Sequence, residues 1–223
     1  MALENVDILN QALILCGART VASTSDLKSS LGDATTLIAQ KRNEIFDMPI
    51  DWRFCTVRAE LTKHTETPPN GGWLYYYAIP AKLRRLIEVI DEDGDTLHYP
   101  WRRELSVATE GETTTETPVF ACNEDEMHIR YIYLVENPDL WPSWFFRLVV
   151  CNLAMTLMEP LKQDKGQATQ KVMMAYEDAL RSAKAANYAE NTDTHKGQNT
   201  DLGNTDVAGA AYSYRRYSRD CWL

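Results

Sequence analysis

Apolar positions recur at helical spacing at the two ends of the folded body, and at a different spacing between them. Val6, Leu9, Leu13 and Cys16 fall three or four apart, with Asn5 placed to cap the helix and Gly17 to end it. A second helix is predicted from Ser25 as N-cap, carrying Leu27, Leu31, Ala34, Ile38 and Ile45 on one face. It stops before Pro49, because the residue preceding a proline is driven out of the helical region. After Pro138, the run from Trp141 to Glu159 is the most apolar of the chain and Pro160 closes it. A last helix from about Gln167 to Tyr188 puts Val172, Ala175, Ala179, Ala183 and Ala186 on one stripe.

Between these helices the pattern is that of short strands. Trp52 to Leu61 alternates loosely, Thr67 to Gly72 is a loop, and Trp73 to Ile79 is aromatic enough for a strand. Arg85–Ile90 and Thr96–Tyr99 flank Asp91–Asp95, whose Asp93-Gly94 suits a tight hairpin turn. Gly111 to Thr117 is predicted to be a second polar loop. Val119–Ala121 and Met127–Leu134 then make a further pair of strands around Asn123–Glu126. Helices segregated from strands indicate an α+β fold. The expectation is a helical bundle formed by N- and C-terminal helix pairs (1–50 and 138–188) with an inserted, mainly antiparallel β domain (51–137) and an extended C-terminal arm (189–223).

The arm stands apart. From about Tyr188 it is rich in Gly, Asn, Thr and Asp, and its only large aliphatics before the final cluster are Leu202 and Val207. So little apolar surface cannot offset the entropy of ordering it alone. Yet it closes on Tyr212, Tyr214, Arg215, Arg216, Tyr217, Arg219, Trp222 and Leu223, the residue types that dominate binding hot spots. An idle tail and an arm folded back on its own domain are the alternatives; the long polar spacer favours docking on a partner.

Charge and chemistry narrow the function. With 32 acidic against 23 basic residues the net charge is −9, which argues against general nucleic-acid affinity. The five cysteines (Cys16, Cys55, Cys122, Cys151 and Cys221) are widely spaced, with no C-x-x-C pair, and read as reduced and mostly buried. The opening residues lack a basic region followed by a long apolar run, so no signal peptide is expected. Trp141–Pro160 is long enough to span a bilayer, but Arg147, Asn152 and Glu159 favour a buried helix and no membrane association. His64, His98, His128 and His195 lack zinc-motif spacing, and no nucleophile elbow, P-loop or dinucleotide fingerprint is present. Asp91–Asp95 fails the EF-hand spacing, and the acidic pairs Asp47/Asp51 and Glu124/Glu126 have no nucleophile beside them. No catalytic, cofactor-binding or metal-ligating set is therefore expected, and the chain is not read as an enzyme. Trp73-Leu-Tyr-Tyr-Tyr77 with Lys82, Arg84 and Arg85 leaves one alternative, a soluble nucleic-acid-binding or assembly-scaffold protein using the Trp73–Arg85 region.

Several short stretches together resemble the head-to-tail adaptor (connector) proteins of tailed bacteriophages, in particular the tail tubular protein A-like family. They are Ala12–Ala18, Ala39–Ile45, Asp51-Trp-Arg-Phe54 with Arg58–Leu61, Tyr77–Ala81 leading into Leu86–Val89, Ile129–Ile132, Pro138–Leu140 and Ala175–Leu180. The resemblance runs from about Leu3 to Ala186; Trp141-Pro-Ser-Trp144 departs from the family pattern, and the arm's end does not align. It implies a virion protein made in the host cytoplasm that forms a homo-oligomeric ring, in this family typically twelve subunits, beneath the portal. The helices would face the portal protein, the β inserts a tail, nozzle or other neck protein, and the arms would clasp portal subunits. DNA would pass through the channel without sequence-specific binding, past an acidic wall that repels it.

Overall fold

The computed structural model describes residues 4–26, 33–66, 68, 72–92, 94, 96–97, 99–110, 113–158 and 167–192. Among them lie helices α1 (Asn5–Leu15), α2 (Ala34–Phe46), α3 (Ser143–Leu157) and α4 (Gln167–Thr192). The strands are β1 (Thr56–Glu60), β2 (Tyr75–Ala78), β3 (Leu83–Ile90), β4 (Trp101–Glu110), β5 (Thr113–Cys122) and β6 (His128–Tyr133).

Helix ends follow local chemistry. At α1 the cap is Glu4 rather than the expected Asn5, and the Glu4 N–H donates to Asp7 Oδ2 at 2.9 Å. Gly17, at φ 72°, ends the helix: its N–H donates to the Ile14 carbonyl and the Ala18 N–H to that of Leu13, the paired closure of a Schellman motif. The expected start of α2 at Ser25 is corrected. Thr24–Asp26 form a 3₁₀ turn, and Asp33 is the cap, its Oδ2 accepting from the Thr36 N–H at 3.3 Å. Leu27 and Leu31 lie outside the described residues.

The chain is α+β with antiparallel strands lying between the helices in sequence, but the expected bundle of N- and C-terminal helix pairs is overturned. Helix α3 buries Phe145, Leu148, Val149, Val150, Cys151, Leu153, Ala154 and Leu157, which point in nearly every direction around its axis. It is a hub on which α1, α2 and α4 each pack, and α1 contacts α3 more extensively than it contacts its sequence neighbour α2. The β region is two three-stranded antiparallel sheets, ordered β1-β6-β3 and β2-β5-β4.

The first sheet lies between the helices and the second sheet. Ile132 on β6 and Ile87 on β3 join the helical core, whereas Val89, Ile129 and Tyr131 join Tyr77, Phe120 and Cys122 of the second sheet. Residues 61–64 turn the corner between the sheets: the Leu61 N–H donates to the Met127 carbonyl, and the His64 N–H to that of Tyr76.

Two strand expectations also change. The predicted polar loop over Gly111–Thr117 is largely strand, since Thr113–Thr117 pair along β4 from Ser106 to Glu110. The stretches around Asn123–Glu126 are not partners, because β5 belongs to the second sheet and β6 to the first. Of the expected Asp91–Asp95 hairpin, Asp93 and Asp95 lie outside the described residues; Ile90 and Thr96 beside it form an isolated bridge, and β4 begins at Trp101.

Candidate functional site

The predicted docking residues, Tyr212, Tyr214, Arg215, Arg216, Tyr217, Arg219, Trp222 and Leu223, lie outside the described residues. What is described is the root of the arm. Helix α4 buries Val172, Ala179 and Ala183 along the predicted stripe, and one turn further on it buries Asn187. Asn187 Oδ1 accepts from the Arg53 N–H at 2.8 Å, and its Nδ2 donates to the Asp51 carbonyl at 2.9 Å. The amide thereby bridges the last turns of α4, which runs on to Thr192, to the loop that precedes β1. An asparagine four residues after Ala183, in an otherwise alanine-lined stripe, was the one signal in the sequence.

That loop is itself held by aromatic packing. Trp52 is fully buried, donates from Nε1 to the Ile45 carbonyl at 3.0 Å, and meets Phe145 edge-on with ring centroids 5.8 Å apart. Phe54 lies 4.7 Å from Phe145 and 5.5 Å from Trp144. Asp51-Trp-Arg-Phe54 thus joins helical core, first sheet and arm root.

The basic residues of the Trp73–Arg85 region face carboxylates across the same junction. Arg84 Nε donates to Asp47 Oδ1 at 3.0 Å, Arg85 Nη2 to Asp51 Oδ1 at 2.6 Å, and Lys82 Nζ to Glu136 Oε2 at 2.9 Å. The last bond holds the Glu136 carboxyl below the usual glutamate range. Tyr76 and Tyr77 are buried and their hydroxyls donate to Glu104 Oε2 and the Glu124 carbonyl. Trp73 Nε1 donates to Glu104 Oε1 at 3.0 Å. A free run of stacking rings beside unpaired cations is therefore not what this segment presents. The pair Asp47/Asp51, weighed as acid–base candidates, is engaged by the two arginines.

Sequence reasoning missed an apolar row on the second sheet. β4 and β5 pair over ten residues, from Trp101↔Cys122 to Glu110↔Thr113, whereas β2 covers only Val119–Cys122. The ribbon thus overhangs the rest of its sheet. Trp101, Leu105 and Val107 lie on one face of it and are 40%, 53% and 56% exposed. Their alternation with Arg102, Glu104 and Ser106 was the strand signal.

The described thiols offer no nucleophile. Cys16, Cys55, Cys122 and Cys151 are buried and free. Burial pushes Cys16 up to about 11 and Cys55 up to about 12, away from the thiolate. Among the described residues no helix is long and apolar enough to cross a membrane. Neither a protein-family model nor a curated protein matches the chain.

Proposed function

We propose that the protein is a structural head-to-tail adaptor of a tailed bacteriophage, a subunit of a ring that extends the DNA channel beneath the portal. The observation that carries the reading is the overhanging β4–β5 ribbon. Leu105 and Val107 stand more than half exposed on its face, a costly display for a lone subunit and a natural contact for a neighbour. The acidic balance suits a wall past which DNA slides. The arm, rooted by Asn187, supplies the Tyr, Trp and Arg anchors for portal subunits, adding a second contact to that of the body.

The test is a mass measurement of the purified protein, alone and mixed with its cognate portal. A ring or a portal complex is expected. The double variant Leu105→Glu/Val107→Glu should fold normally yet fail to join neighbours, and deletion of 212–223 should leave a folded body that no longer attaches stably. Failure of the unaltered chain to form either a ring or a portal complex would overturn the reading.

A further inference from the structure

Two crossings of the chain between the sheets line one cleft. One crossing leaves β3 at Ile90 and runs through Asp91 and Glu92 toward β4; the other leaves β5 at Cys122 and runs through Glu126 into β6. One ligand atom each from Glu92, Glu126 and His128 converges there, all three within 4.8 Å of one another. His128 Nε2 is shielded from solvent and has no hydrogen-bond partner; the nearest carboxylate oxygen, Glu126 Oε2, is 3.9 Å away, beyond hydrogen-bonding reach. The Tyr99 hydroxyl, likewise shielded and without a partner, lines the same cleft. A buried imidazole nitrogen left unsatisfied costs free energy unless something binds it.

We propose that Glu92, Glu126 and His128 form a binding site for a divalent transition ion of the zinc type. The donor set decides the class. Calcium and magnesium take oxygen ligands, whereas one imidazole with two carboxylates suits zinc, at bond lengths of about 2.0–2.2 Å. Tetrahedral bonds of that length place ligand atoms roughly 3.4 Å apart, so no pair of the trio need draw in by more than about 1.4 Å. Both glutamates are exposed and can swing inward while His128 stays fixed on β6. Asp91, Glu124 and Asp125 line the cleft as well, adding a negative field that attracts a cation, although Asp125 is partly neutralised by Lys63 at 2.5 Å. The fourth position is left for water. A bound ion ties the two crossings together and fixes one sheet against the other.

Calorimetric titration of the chelator-treated full-length protein with zinc chloride tests the site, with cobalt absorption as a second readout of nitrogen-containing coordination. One ion per chain is expected, together with a higher thermal midpoint. His128→Gln, Glu92→Gln and Glu126→Gln should each weaken binding at least about tenfold. Because the two glutamates are exposed, their variants report even if His128→Gln misfolds. The double variant His98→Ala/His195→Ala should bind as the parent does. Absence of binding at millimolar zinc, calcium binding as tight as zinc, or binding that survives the glutamate variants but is lost with His98 and His195 would overturn the proposal.

Discussion

Replacing Asn187 by alanine removes one side chain and two backbone partners at once. The amide is 8% exposed and bridges the Arg53 N–H and the Asp51 carbonyl at 2.8 and 2.9 Å. Each bond contributes about 0.5–1.5 kcal/mol net, and a half-buried backbone group left unpaired adds a penalty of about 1 kcal/mol or more. Against this, alanine is the better helix former by about 0.5 kcal/mol. The balance is a loss of about 2–3 kcal/mol. Urea denaturation measures it as a lower midpoint with an unchanged slope. Asn187→Asp keeps the acceptor and loses the donor, so it should cost at least the one bond to Asp51 and bring a carboxylate against that carbonyl. The same variants should raise proteolytic cleavage near the end of α4, where the arm loses its tie to the β1 loop. An Asn187→Ala protein within about 0.5 kcal/mol of the parent would mean that water replaces the bridge, and would refute the claim that this amide roots the arm.

Gly17→Ala forces a side chain into φ 72° with open space around it, so backbone strain alone sets the cost, about 1 kcal/mol by thermal or urea unfolding. In a Cys221→Ala background, a thiol reagent at pH 8 should find no fast-reacting cysteine in the native protein. All four remaining thiols should react once it is unfolded, since burial holds each described thiol above its ordinary pKa.

Helices were legible where one face is apolar and the ends carry clear stop signals. α1 ends at its glycine, α3 is bounded by proline on its N-terminal side, and α4 shows its alanine stripe. α2 was misplaced at its start because Ser25 and Asp33 are both good capping residues, and local propensity alone does not choose between them. β4 escaped detection because only Ser106 of its first seven residues is buried, so the ladder with β5 makes it a strand rather than a core-facing period. β3 carries Leu83, Leu86 and Val89 toward the second sheet at a spacing of three. Register shifts between Leu83 and Arg85 and between Leu86 and Glu88 place one extra residue each, Arg84 and Ile87, and so keep every third side chain on that face. The bundle expectation failed for a related reason. An apolar run tells that α3 is buried, but only its all-round burial tells that three helices share it. At the site, the ion pairs of Arg84 and Arg85 and the convergence of Glu92, Glu126 and His128 join residues distant in sequence, which no local pattern encodes.

The hub position of α3 also sets an order of events during synthesis. Helices α1 and α2 leave the ribosome early, but their main packing partner spans Ser143–Leu157, roughly a hundred residues later. β1 likewise waits for β6, its one ladder partner among the described residues. Until that point Leu9, Leu13, Ile38 and Ile45 have no core to enter, whereas the β4–β5 ribbon can zip locally as soon as both strands emerge. Chains interrupted before α3 should therefore be sticky and short-lived. Completion of the body comes as a late, concerted collapse around one helix, followed by α4 locking onto the β1 loop.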